Sequence, residues 1–338
     1  MTSRTRRIIN DPNALVQEML EGYAQANADI VALSDGLLVR ADRKPDGFVG
    51  LVVANGSGHE PAMIGWVGPG LLDVNVPGPV FSSPGPTRIL AGIQAADHGA
   101  GVLLLVSSHA GDILNASLAI ADAEQLNLKV AMVILYDDVA SAPRDRIEDW
   151  RGGAGLFFVW KIVGALAERG ASLDECAAMA GRVRDRTRSI SAAIGTVAHP
   201  ISGQLLGPAL ANELSVGMGV HGEAGTVLGD EMTADAIAMM LVSTLIEDGD
   251  VRVGSRVGLL VNNSGALTLM ELSILYRGAR RVLEARGVDV ARSWIGSYAT
   301  TLDQAGFSIA ISVLDPELEA LYDAPAHGAG FVRIGATS

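Results

Sequence analysis

The chain has a single cysteine, Cys176, so no intrachain disulfide can form, which fits a reducing compartment. Cys176 lies in the helical-looking stretch LDECAAMAGRV, where a free thiol reads as a small buried hydrophobe. Aromatic residues make up only 4% of a chain that is 49% hydrophobic, so the core is expected to be aliphatic, built from Ala, Val, Leu and Ile. Basic residues are also short: 25 Lys and Arg face 38 Asp and Glu, a formal net charge of -13. That balance argues against a nucleic-acid binder, which would be expected to carry a basic face, and disfavours an unassisted polyanion site. A local backbone nest can still hold phosphate. No uncharged apolar run reaches membrane-spanning length. The start, MTSRTRRIINDPNALV, is basic but lacks the apolar stretch of a signal peptide, so a soluble cytoplasmic protein is expected.

Glycine is abundant, with 40 residues and no repeat, which suggests tight turns and backbone-lined pockets. The length of 338 residues fits two domains of ordinary size. Helical patterns at 13–27, 89–99 and 113–127 alternate with strand-like runs at 49–54, 101–107 and 129–136. This is the pattern of an α/β domain with a largely parallel sheet. Two helices are expected at 157–170 and 173–195 as a bridge. A second α/β domain follows, with strand-like SVGMGVH (215–221), 256–262, 291–298 and 307–314, and helices at 233–248 and 269–287. The domains are expected to be 1–185 and 186–338, each a mixed or largely parallel sheet flanked by helices.

Ligand sites in open α/β sheets gather at the carboxyl ends of strands. Four turns there hold candidate chemistry: Asn55-Gly56-Ser57-Gly58-His59-Glu60-Pro61, Ser108-His109-Ala110-Gly111-Asp112, Val220-His221-Gly222-Glu223 and Asn262-Asn263-Ser264-Gly265. Glycines in the first let a ligand approach the backbone, and His59 either moves protons or fixes the turn. It is neither a dinucleotide fingerprint nor a P-loop. Asp112 suits a helix N-cap, a role compatible with accepting substrate hydroxyls. His221 is either a satisfied buried histidine or an imidazole facing a cavity, where its nitrogen can add to a carbonyl. No zinc site is expected, since there is no H-E-x-x-H and no close histidine pair in the sequence. Gly56-Ser57-Gly58 is not a nucleophile elbow. An aldolase would want a Schiff-base lysine or a metal. Its internal candidates, Lys129 and Lys161, read as flanking or snorkelling residues.

NGSGHEP, SHAGDILN, VGMGVHGEAG, LVNNSGA, SYATTLDQAGFSIAI and LYDAPAH follow one another in this order over residues 8–327. With KIVGALAERGASLDECA, they resemble the dihydroxyacetone-binding K part of the dihydroxyacetone kinase family. The resemblance implies that His221 holds the ketone carbon as a hemiaminal, which separates ketoses from glycerol. It implies that His59 and Asp112 contact the substrate hydroxyls and help deprotonate the attacking one, with Gly56 as a backbone contact. Ser57, Gly58, Ser107 and His109 are taken as further substrate-binding positions. The family's nucleotide, ATP or ADP with magnesium, sits on a separate helical L part, fused in some members and a separate chain in others. No cofactor or metal is therefore expected on this chain, which ends at Ser338 and is expected to need an L-type subunit. The donor is ATP or a phosphoprotein relay, and a homodimer is implied. The family's K-N-x-T-G-D pattern is altered, with Ser107 where the lysine stands and His109 two positions on. The segment after His221 is also shorter than in some members. The substrate is thus dihydroxyacetone or a related ketose such as erythrulose. Some relatives bind the ketose but act as coactivators of a transcription regulator; retention of His59 and Asp112 favours catalysis.

Overall fold

The Val- and Leu-rich runs at 49–54, 101–107 and 129–136 become strands of one sheet. The computed structural model describes residues 7–207, 210, 213–228 and 232–335, and the basic start at 1–6 lies outside them. In chain order the first half forms α1 (Leu15–Ala26), β1 (Val31–Ser34), β2 (Leu37–Arg40), β3 (Gly50–Ser57), β4 (Val74–Val80), α2 (Pro86–Ala96), β5 (Val102–Ser107), α3 (Ala110–Gln125), β6 (Val130–Leu135), α4 (Leu156–Glu168) and α5 (Leu173–Asp185). The strand order is β1-β2-β4-β3-β5-β6, and β4, β3, β5 and β6 run parallel. Residues along β3 and β5 alternate between two helical layers, which explains their unbroken apolar character. Leu51, Val53, Leu103 and Leu105 pack with α4 and α5, while Val52, Ala54, Leu104 and Val106 pack with α2 and α3.

Three strands of the first half, β1, β2 and β4, were not expected from the sequence. β1 and β2 form a hairpin on Asp35-Gly36, both at positive φ, an Asp-Gly signal of the two-residue turn. β4 is masked by its prolines, which rarely enter a central strand. Here β2 pairs only with Val74 and Asn75, so Pro77 and Pro79 fall beyond the end of that ladder.

The second half forms β7 (Thr187–Ala193), β8 (Val197–Ala198), β9 (Leu205–Leu206), β10 (Leu214–Val216), β11 (Thr226–Leu228), α6 (Ala234–Asp248), β12 (Arg256–Asn263), α7 (Leu269–Ala285), β13 (Asp289–Gly296), β14 (Gly306–Leu314), α8 (Pro316–Tyr322), β15 (Ala326–His327) and β16 (Val332–Arg333). The second main sheet has the order β11-β10-β7-β14-β12-β13. The chain is thus an α/β protein whose sheets are flanked by helices. The expected helix at 173–195 is corrected. A capping box on Ser172 and Glu175 starts α5, but the helix ends at Asp185 and 187–193 is an inner strand. β7 is buried on both faces, so it shows no polar–apolar alternation to betray it. The strand expected at 215–221 is also shorter, because Gly217 turns the chain at positive φ and leaves His221 in a loop.

The line between 185 and 186 separates α5, packed on the first sheet, from β7, in the second. The largest apolar cluster nevertheless crosses it. Trp66 stacks between Phe157 and Phe331, at centroid distances of 4.7 and 4.9 Å. Trp294 stacks between Phe158 and Tyr322, at 5.0 Å from each. We therefore propose 1–185 and 186–338 as sheet units that share a core, rather than as independent folders. The aliphatic core expected from composition holds for the sheet faces, but the scarce aromatics are pooled at this junction. Trp66→Ala should cost about 3–5 kcal/mol in chemical denaturation, with the two halves unfolding together.

Candidate functional site

The ends of β3 and β5, the loop after β4 and loops from the second half enclose a cavity of about 440 Å³. Gly56, His59, Ser107, His109, Asp112 and His221 all line it. Ser57 and Gly58 do not. Ser57 Oγ donates to Gly78 O at 2.8 Å, and a Cβ on Gly58 would fall 2.8 Å from the Phe81 ring. Both shape the Phe81 loop, whose ring lies 5.0 Å from that of His59. Gly56 lets the same loop close in, since a Cβ there would meet Ser82 N at 2.6 Å.

His59 is buried, and its Nδ1 donates to Thr300 O at 2.8 Å. A carbonyl only accepts, so this bond fixes the neutral tautomer and leaves Nε2 bare. That nitrogen lies 3.2 Å from His221 Nε2. Burial, then the neighbouring His221, pushes His59 down to about 3, so it rests neutral at ordinary pH. The loop after β13 also ties the two histidines together. Thr300 N donates to His59 O at 3.0 Å, and Thr301 Oγ1 donates to Val220 O at 3.1 Å.

Asp112 does not cap α3. It is the third helical residue, and His109 occupies the N-cap position without a side-chain capping bond. The Asp112 carboxylate instead faces the cavity, where its Oδ2 accepts from Asn55 Nδ2 at 3.1 Å. Burial raises it to about 6, against the opposing bonds from Ser83 and Asn55. A carboxyl poised there is protonated or ionised by small changes near neutrality, which suits a proton acceptor. His109 is held by Ser107, with Oγ and Nδ1 3.0 Å apart, and its ring meets that of His221 edge-on at 5.0 Å. Burial, then His221, lowers His109 to about 4.

Glu223 went unrecognised in the sequence. Its Oε1 lies 3.5 Å from His221 Nδ1, and its Oε2 accepts from His221 N at 3.0 Å. Burial would raise this carboxyl, but its bonds with His221 and the nearby Arg151 hold it down at about 2. Thr300, Thr301, Asn55 and Ser83 were likewise not singled out. A carboxylate two residues from a candidate histidine was the one local signal for Glu223; the threonine loop lies in the SYATTLDQAGFSIAI segment, which marks the family resemblance but not its contact with His59.

The Asn262-Asn263-Ser264-Gly265 turn stays out of the cavity wall and serves as a brace. Asn262 Oδ1 accepts from Tyr298 N and Ala299 N, each at 2.9 Å, and so shapes the loop that holds His59. Lys129 is exposed. Lys161 is fully buried rather than snorkelling, and donates to Leu321 O at 2.8 Å away from the cavity. Burial lowers it to about 7. Neither lysine is positioned for a Schiff base in this cavity. Among the described residues no helix is long and apolar enough to cross a membrane.

The pattern of the Dak1 domain matches residues 21–330. The PTS-dependent dihydroxyacetone kinase 1, dihydroxyacetone-binding subunit DhaK, of Listeria innocua is 37% identical over 319 residues, 92% of this chain and 95% of the relative. The corresponding subunit of the Escherichia coli PEP-dependent kinase is 34% identical over 95% of this chain and 98% of its own length. The L-erythrulose kinase of Pectobacterium atrosepticum is 34% identical over 96% of this chain, which spans only 56% of that enzyme. Among solved structures, the dihydroxyacetone kinase of C. freundii superposes with a TM-score of 0.88 at 29% identity, over 99% of this chain and 62% of that one. A dihydroxyacetone kinase operon co-activator, Dha-DhaQ, also superposes at 0.88 and 29% identity, over 94% of this chain and 98% of its own.

Proposed function

The chain belongs to the Dak1 domain family, and from that premise we propose that it is the ketose-binding subunit of a dihydroxyacetone-type kinase. The observation that carries this reading is the meeting of His59, His221 and Asp112 in one cavity, with the two imidazole Nε2 atoms 3.2 Å apart. In the reactive tautomer His221 keeps its proton on Nδ1, facing Glu223 Oε1 3.5 Å away, and carries its lone pair on Nε2. When a ketose enters, that Nε2 lone pair attacks the ketone carbon, while the bare Nε2 of the neutral His59 accepts a hydrogen bond from a substrate hydroxyl. The C–N bond forms as the C=O π bond breaks. The carbonyl oxygen takes a proton from water as the ring Nδ1, beside Glu223, gives up its own, leaving a neutral hemiaminal. With the ketose tethered, Asp112 accepts the proton of a terminal hydroxyl as its oxygen attacks the transferred phosphoryl group. Most of the remaining work is positioning, which a covalent tether supplies.

The nucleotide with its magnesium belongs to an L-type partner subunit, or the phosphoryl group arrives through a phosphoprotein relay. The K subunits pair as a homodimer in the cytoplasm. Both dihydroxyacetone and a four-carbon ketose such as erythrulose fit a cavity of this size. Ser107, in place of the family lysine, removes a cation from the wall and favours testing both. The similarity to a co-activator supports a second reading, a ketose sensor that binds without turnover. A buried carboxyl held near neutrality by Asp112's surroundings favours the kinase, because a sensor has no need of a base.

The test is a coupled assay across a panel of ketoses. The isolated chain with ATP should give no turnover. Adding an L-type subunit and its donor should give phosphorylated ketose. Turnover by the isolated chain would overturn the two-subunit reading, and ketose binding without turnover in the full mixture would support the sensor.

A further inference from the structure

Ser107, which departs from the family pattern, and His109 two positions on sit together beside His221. His109 Nε2 is buried and has no hydrogen-bond partner among the described residues. One donor atom each from His109, His221 and Glu223 lies within 4.8 Å of the others. His221 Nδ1 and Glu223 Oε1, 3.5 Å apart, already stand at the spacing of about 3.3–3.6 Å that a tetrahedral zinc ion imposes on its ligands.

We propose that His109, His221 and Glu223 form a binding site for a divalent transition-metal ion of the zinc class, and that the ion on Nδ1 and a tethered ketose on Nε2 compete electronically for the one His221 ring, since each draws on its lone-pair density. Two imidazoles and a carboxylate are the donor set such ions prefer, and the cavity leaves the fourth position open. Each of two donors has an outer partner that orients it. Ser107 Oγ holds His109 Nδ1, and the His221 backbone N–H holds Glu223 Oε2. Gly219 makes room, since a Cβ there would fall 2.1 Å from Glu223 Oε2. The opposing cation is Arg151, 3.7 Å from that same oxygen. It lies on Oε2, away from the oxygen facing His221, and Asp138 partly neutralises it at 2.9 Å. A lysine at 107 would bring a second cation and remove the partner of His109, so Ser107 is what makes the site compatible with a metal. Histidines that are far apart in sequence gave no spacing signal, which is why no metal was expected there.

The competition rests on the tether reading; the metal site does not. Co²⁺, added to the full chain and followed by its visible absorption, should bind once per chain. His109→Ala and Glu223→Gln should each weaken that binding ~10-fold or more, with circular dichroism showing that both remain folded. No saturable binding, or unchanged binding in both variants, overturns the site. Dihydroxyacetone should weaken Co²⁺ binding, and Zn²⁺ should weaken ketose binding by the same factor, as linkage requires. Full ketose binding on the metal-loaded chain overturns the competition. A chain that binds Co²⁺ but takes up no ketose even after chelation upholds the metal site and sinks the ketose reading instead.

Discussion

His221→Ala, assayed with an L-type subunit and its donor, is expected to lower kcat/KM for the ketose by ~10²-fold or more. The tether fixes the ketone carbon and hence the position of both terminal hydroxyls relative to Asp112. Without it the substrate is held only by hydrogen bonds in a cavity of about 440 Å³, larger than a triose requires. The sharper readout is selectivity. A carbonyl is needed for the hemiaminal but not for hydrogen bonding, so the ratio of rates for dihydroxyacetone and glycerol should collapse in the variant. A truncation that merely loosened the fold would slow both alcohols together and leave the ratio intact. Mass spectrometry of the ketose-soaked wild-type chain under native conditions should also show an adduct that the variant lacks. A variant that keeps the wild-type preference for the ketone would show that His221 is not the anchor.

Asp112→Asn is expected to cost ~10²–10⁴-fold in turnover, the usual range for removing a general base. The pH profile separates this from a packing defect. Burial raises the Asp112 carboxyl to about 6, so the ionised, proton-accepting form is lost as pH falls through that value. Wild-type kcat/KM should rise with pH through about 6 and then level off. His59 and His109, lowered to about 3 and 4, are neutral over that whole window and add no limb of their own. The variant should retain only a flat residual rate there. Stability should move the opposite way. A carboxyl raised on folding contributes stability that is present below its unfolded value of 3.8 and is lost as pH rises through about 6. Above pH 6 the wild type therefore carries a buried ionised group at a cost that Asn avoids. Asp112→Asn should resist denaturant better there by on the order of 1–3 kcal/mol. A loss of both activity and stability would mean that Asp112 is structural.

The location of the candidate site was largely legible because it sits where parallel strands end, in turns whose glycines and histidines stand out from an aliphatic background. His59, His109, Asp112 and His221 all reach one cavity, as the turn positions suggested. What was not legible depends on contacts between distant segments. Thr300 sets the tautomer of His59 from a loop far along the chain, and the SYATTLDQAGFSIAI segment around it carries no sign of that long-range contact. Asp112 stands beside a helix start, where a cap was the simplest local account, yet the helix begins earlier and turns the carboxylate inward. β7 was read as helix because an inner strand buried on both faces loses its alternation, and its Arg, Ser and Ala suit either state. Arg188 in that strand lies over the Trp150 ring at 4.9 Å, a partner that local pattern cannot reveal.

The pooling of aromatic rings has an optical consequence. Three of the four tryptophans, Trp66, Trp160 and Trp294, lie in one group, with Trp66 at centroid distances of 5.7 and 6.1 Å from the other two. Trp160 is also part of the cavity wall. Excitation absorbed by any of the three is shared among them, and one member of the set stands beside the bound ligand. The chain's own near-ultraviolet emission is therefore weighted towards the floor of the ketose cavity, and a label-free titration can follow that floor as it fills.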